Sequence, residues 1–91
     1  MMNRKLAISR HVRWRKVAEE AVIVNQADAE LIVLNSTGCR LWELLAEGET
    51  PAAIAERIHQ EFEVDQAQAV VDVNQCLASL RDLGVVLPAD Q

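Results

Sequence analysis

Polar and apolar residues alternate in the first third of the chain in the manner of β-strands. Alternation at positions 12–17 predicts a half-buried strand, and an apolar run at 21–24 predicts a second one. The aliphatic stretch from Glu30 to Leu34 predicts a third strand. The Asn and Asp residues within 25–28 favour a turn between the second and third strands. Such short connections favour an antiparallel meander.

From Asn35 onward the spacing of apolar residues becomes helical, and the polar residues between the stretches are typical helix starts. Asn35 or Ser36 is the candidate N-cap of a first helix. Thr50, followed by Pro51 at the first helical position, begins a second helix, and Asp65 caps a third. The predicted helices end near Gly48, Phe62 and Gly84.

The resulting order is β-β-β-α-α-α, with a short strand expected near positions 85–87. Three short helices cannot each bury a face alone, so they are expected to cluster on one side of the small sheet. The closely spaced second and third helices are similar to a helix-turn-helix pair. We therefore predict a winged-helix-like α+β fold and a single domain over residues 1–91, in which residues 1–10 form a flexible arm.

The charge is distributed unevenly along the chain. The 91 residues carry a net charge of −5, but the first sixteen contain six basic and no acidic residues. The remaining residues hold three basic side chains against all 14 acidic ones. This distribution excludes a uniformly basic nucleic-acid-binding domain.

Binding to DNA by the third helix is poorly supported by its charge. Asp65, Asp72 and Asp82 stand against one basic residue, Arg81, although phosphate contacts need positive charge. A winged-helix transcription regulator therefore stays as the alternative hypothesis, and nucleic acid is not the expected partner.

The sequence contains no constellation typical of an enzyme or a metal site. The two histidines and three serines follow no triad order, and Cys39 and Cys76 form no CxxC unit. We therefore expect no catalytic residues, no cofactor and no metal.

The chain shows neither a signal peptide nor a transmembrane stretch, and two separate cysteines suit reduced thiols, so a cytoplasmic protein is expected.

Several short motifs in the last two thirds of the chain occur together in a consistent order. They are Leu34-Asn35-Ser36-Thr37-Gly38, Leu41-Trp42-Glu43-Leu44-Leu45, Gly48-Glu49-Thr50-Pro51 with Ile54-Ala55, Phe62, Asp72-Val73, Cys76-Leu77, Leu80 and Gly84-Val85-Val86. In this combination the chain resembles the PqqD family, also known as RiPP recognition elements. The resemblance covers over half of the chain, whereas the N-terminal third agrees only in its strand character.

The resemblance implies a non-catalytic peptide chaperone. Family members bind the leader of a ribosomally made precursor peptide and present it to a modifying enzyme. For the name-giving members this is a radical S-adenosylmethionine (SAM) enzyme of pyrroloquinoline quinone biosynthesis. The leader adds as a strand beside the third strand, in a groove formed with the third helix. The implied peptide-binding residues are Glu30, Leu31, Ile32, Val33, Leu34, Val70, Asn74, Leu77, Ala78 and Arg81.

The basic residues of the first strand lie away from this expected groove if the strands are ordered 1-2-3. Arg13 and Arg15 are therefore candidates for contacting the partner enzyme, with a solvated basic strand face that binds nothing as the alternative. Arg81 is expected to pair with an acidic leader residue. The identity of the precursor, the pathway and the oligomeric state (monomer or dimer) stay open.

Overall fold

A computed structural model describes residues 5–89. The elements within this range are, in chain order, β1 (Leu6–Ile8), β2 (Val12–Val17), β3 (Glu20–Asn25), β4 (Glu30–Leu34), α1 (Ser36–Ala46), α2 (Pro51–Glu61), α3 (Gln66–Asp82) and β5 (Val86–Pro88). The three strands predicted from the alternation are β2, β3 and β4, and the three predicted helices follow them. The α+β prediction with its strand-then-helix order is confirmed.

The main sheet is an antiparallel meander with the order β2-β3-β4. A two-residue turn joins β2 to β3, so that Val17 pairs with Glu20. Ala18 begins this turn with φ of 55°, and a positive φ at the first turn residue is typical of a type II′ hairpin. Because β3 occupies the centre, β4 pairs on one side only and is an edge strand.

A second, two-stranded sheet lies outside the expected architecture. β1 pairs antiparallel with β5, with Leu6 opposite Pro88 and Ile8 opposite Val86. Residues 6–8 are therefore a paired strand, which corrects the expectation of a flexible arm over residues 1–10; residues 1–4 lie outside the described range. A three-residue strand whose partner is some 80 positions away leaves no periodic signal in the sequence.

Side-chain caps begin all three helices in the described range. The Asn35 side chain accepts a hydrogen bond from the Gly38 amide at 2.9 Å, which settles the choice between Asn35 and Ser36. The side chains of Thr50 and Asp65 accept equivalent bonds at 3.2 Å and 2.8 Å. Within residues 5–89, no helix combines the length and the apolar composition required to cross a bilayer.

The core lies between the inner face of the main sheet and the helices. Trp42 of α1, Ile23 of β3 and Ile54 of α2 are fully buried. Trp14 of β2 meets Trp42 edge-to-face, with ring centroids 6.1 Å apart. Since tryptophan combines a large apolar area with a favourable edge-to-face geometry, this pair joins the sheet to the first helix.

A cluster of ion pairs links the exposed ends of α1, α2 and β2. Arg40 contacts Glu61 at 2.8 Å and Glu43 at 3.3 Å, while Arg57 reaches Glu61 at 3.0 Å and Lys16 reaches Glu43 at 3.2 Å. The hydrogen bond from Arg40 lowers the pKa of Glu61. Because these side chains are partly exposed, each pair contributes at most about 1 kcal/mol.

Asn25, at the end of β3, ties the sheet to the end of α3. Its side chain is almost fully buried. The amide nitrogen donates to the Leu83 carbonyl at 3.3 Å, and the side-chain oxygen accepts from the Ala27 amide at 3.1 Å. This residue therefore helps to hold α3 at a fixed distance from the strands.

Replacing Asn25 with Ala is expected to lower the free energy of unfolding by about 1–3 kcal/mol, because the Leu83 carbonyl and the Ala27 amide lose the hydrogen bonds of a buried side chain. Chemical denaturation of both proteins measures the difference. Asn74→Ala, on the exposed side of α3, is the control and should stay within about 0.5 kcal/mol of the wild type. Equal losses for the two variants would contradict a special role for Asn25.

Candidate functional site

A groove of about 490 Å³ runs between β4 and α3. Leu41 of α1 and Ile58 of α2, both buried, form its floor. The lining residues are Val33, Leu34, Asn35, Thr37, Gly38, Leu41, Ile58, Asp72, Val73 and Cys76. One wall is therefore an edge strand, and the other is the longest helix.

Along β4, some backbone N–H and C=O groups have no partner strand in the described sheet and point to its open edge, beside the groove. The amide of Gln26 donates to the carbonyl of His11 at 2.9 Å, beyond the last pair of the β2–β3 ladder. Because hydrogen-bonded pairs alternate along antiparallel strands, the odd-numbered residues of β3 bond to β4. In the register of β3 and β4, their partners are positions 30, 32 and 34. The amides and carbonyls of Leu31 and Val33 consequently point to the open edge.

The side chains of β4 alternate between the two faces of the sheet. Ile32 and Leu34 are half-buried and pack against the core. Leu31 and Val33 are 63% and 52% exposed on the other face, and Glu30 is exposed at the start of the strand. Alternate aliphatic side chains of the predicted third strand thus pack on the core, while the aliphatic side chains between them are exposed to solvent.

On α3, the groove residues differ from those named in the sequence analysis. Asp72, Val73 and Cys76 form this wall. The five α3 positions expected there, all within the described range, do not line the groove; they are Val70, Asn74, Leu77, Ala78 and Arg81. Of these, Leu77 is a buried core residue, while Ala78 and Arg81 lie with Asp82 at a separate depression of about 360 Å³.

This difference follows from helix geometry. The buried stripe of α3 consists of Ala69, Val73, Leu77 and Leu80. At 3.6 residues per turn, positions 72 and 76 lie on one flank of this stripe, and positions 70, 74, 78 and 81 lie on the other. The apolar spacing predicts the stripe but contains no information on which flank faces β4. Only the packing of α3 on α2 and the sheet decides that.

Asp72 is the only charged residue in the lining of the groove. Its carboxylate accepts a hydrogen bond from the side-chain amide of Gln68, one turn earlier, at 2.8 Å. Within the described range it has no ion-pair partner within 4.0 Å. The groove therefore combines an apolar floor with one negative charge on its helical wall.

Cys76 places a half-buried thiol in the same wall. Burial raises the pKa of this thiol above its ordinary value, so that it is mostly protonated near neutral pH. Cys39 is buried on α1, and burial also raises its pKa.

His59 bonds to the Val64 carbonyl at 2.8 Å. No three metal-ligating side chains come together among the residues described.

Arg13 and Arg15 lie on the face of the sheet opposite the helices. They pair with Val24 and Val22 of β3, whose next neighbours across the sheet are Leu31 and Val33. Both arginines are exposed, and neither makes an ion pair or a side-chain hydrogen bond to another residue in the 5–89 range. This face is an apolar strip bordered by two positive charges. It meets the groove at Val33, which belongs to both.

Comparisons with known proteins agree with this architecture. The solved structure of TbiB1 in complex with the TbiA(beta) leader peptide has a TM-score of 0.85, at 28% identity over 88% of this chain and 93% of that one. Lasso peptide synthetase B1, also complexed with a leader peptide, has the same fold, with a TM-score of 0.84 at 24% identity over 92% of this chain and 99% of that one.

A search of curated proteins finds no match. The profile of the family described as "Coenzyme PQQ synthesis protein D (PqqD)" matches residues 20–86, from the start of β3 to the start of β5. The match covers well over half of the chain and includes both walls of the groove. The chain therefore belongs to the PqqD family.

Proposed function

We propose that this protein binds the leader segment of a ribosomally made precursor peptide and presents it to a modifying enzyme, without itself being catalytic. The observation that carries the proposal is the open edge of β4 beside the groove. The family and the similar TbiB1 structure, which is a complex with a leader peptide, support it.

Strand addition fits the chemistry of this edge. The backbone groups of Leu31 and Val33 offer two donors and two acceptors to an extended peptide. Each hydrogen bond contributes only about 0.5–1.5 kcal/mol net, so the backbone alone supplies modest affinity and no selectivity. Alternate side chains of the added strand would enter the apolar groove, which provides both.

The alternative of DNA binding is not favoured. The third helix, which would enter the major groove of DNA, exposes Asp72 and Asp82 and has Asp65 as its cap. Arg81 is its only basic residue. A duplex would therefore meet net negative charge on this helix.

The partner enzyme is proposed to be a radical SAM protein, with pyrroloquinoline quinone biosynthesis as the pathway suggested by the family's name. We place its docking surface around Arg13 and Arg15, because these two side chains lie on the face opposite the helices and do not line the groove. The two free thiols suit a reducing compartment, and we propose the cytoplasm.

Leu31→Pro tests strand addition directly, because proline removes an amide that faces the open edge while the ladder to β3 is retained. Leader affinity is expected to fall about fivefold or more. Fluorescence anisotropy with a fluorescein-labelled leader peptide that the wild type binds measures it. Lys16→Pro, at an outward-facing amide of the other edge strand, should bind normally; similar affinity of all three proteins would contradict the proposal.

Cys76 offers a second, chemical test. Because burial raises the pKa of its thiol, alkylation by iodoacetamide should be slow at pH 7 and accelerate as the pH rises toward 9. A bound leader covers the groove and should slow the reaction further, as followed by intact-protein mass spectrometry. The Cys76→Ser variant, which retains Cys39, shows how much of the alkylation occurs at Cys39. A rate unaffected by saturating leader would place the peptide elsewhere.

Reversal of both outer-face arginines, Arg13→Glu with Arg15→Glu, tests the docking surface. Affinity for a radical SAM enzyme that the wild type binds is expected to fall roughly tenfold, because two charge contacts become repulsive. Leader affinity should not change. Arg81→Glu, a single reversal on α3, is a control that makes half of this change in net charge. Loss of leader binding in the double variant would show that the two surfaces are wrongly separated.

A further inference from the structure

We infer that Asp72 makes the groove selective for a leader carrying a lysine or arginine at the position that lies against α3. This inference rests on the proposed function and adds a substrate class to it. It replaces the expectation that Arg81 pairs with an acidic leader residue, because Arg81 lies on the opposite flank of α3 from the groove.

The first argument is electrostatic. Asp72 is the only charged group in a groove whose other lining side chains are apolar or neutral. A peptide lying across the groove removes water from this carboxylate, and a carboxylate that loses water without gaining a cation is destabilised. A basic side chain of the peptide compensates for that loss, whereas an acidic one adds repulsion.

The second argument concerns the shape of the site. Gln68 holds one carboxylate oxygen of Asp72 at 2.8 Å, which leaves the other oxygen available to a ligand. Val73 and the half-buried Cys76 lie beside it in the same wall. The aliphatic stem of a lysine or arginine packs on such apolar groups while its charged end reaches the carboxylate. The wall thus suits a long basic side chain better than a short apolar one.

The test is a selection of peptides from a library of random 14-residue sequences displayed on phage, with the full 91-residue chain immobilised. Wild type, Asp72→Asn and Asp72→Lys are used in parallel. Asp82→Lys is the matched control, since it makes the same charge change on the same helix but at the depression beside Arg81.

The wild type is expected to enrich peptides with lysine or arginine at one position of an otherwise aliphatic pattern. Asp72→Asn should abolish that preference, Asp72→Lys should replace it with glutamate or aspartate, and Asp82→Lys should keep it. For the best wild-type peptide, replacing its basic residue with norleucine should weaken binding about threefold to fivefold.

The alternative outcomes separate this inference from the proposed function. Peptides that are enriched without a basic position, or a preference that Asp82→Lys changes as much as Asp72→Lys, overturn the role of Asp72 and leave peptide binding intact. Failure of the wild type to enrich any peptide, while its circular dichroism spectrum shows a folded protein, rejects both proposals.

Discussion

The packing of Trp42 between the sheet and the helices is the contact on which the rest of the fold depends. Its side chain is fully buried and meets Trp14 of β2 edge-to-face. The indole N–H finds no hydrogen-bond acceptor among residues 5–89, which costs about 1–3 kcal/mol. Burying a tryptophan of 150–250 Å² contributes about 4–6 kcal/mol, so the apolar contact outweighs that cost.

When α1 packs in this way, the β4 edge of the main sheet stays uncovered. Only Asn35 separates β4 from α1, so the chain turns away from the sheet as soon as the third strand of the meander ends. No further strand within the described range continues that sheet beyond β4. α3 lies opposite this edge across a groove, so the groove results from where the helices pack.

The two charged features of the surface lie on opposite sides of the sheet for a simple reason. Side chains alternate along β2, so Trp14 points toward the core while Arg13 and Arg15 point away from it. Asp72 belongs to a helix on the core side. The two arginines and Asp72 therefore lie on opposite sides of the sheet.

Local signals in the sequence determined most of the elements. Asn35, Thr50 and Asp65 cap helices by contacts within three residues, and the strand at Glu30–Leu34 follows from its own composition. Strand β1 was not predicted because it has only three residues and its strand partner, β5, is distant in the sequence. The α3 residues that line the groove could not be predicted for a related reason. Val73 and Leu77 define a buried stripe, but its two flanks are equivalent until the helix is packed. Tertiary packing alone placed Asp72 and Cys76 in the groove and Arg81 outside it, because a helix has neighbours on its flanks only after the sheet and α2 hold it in place.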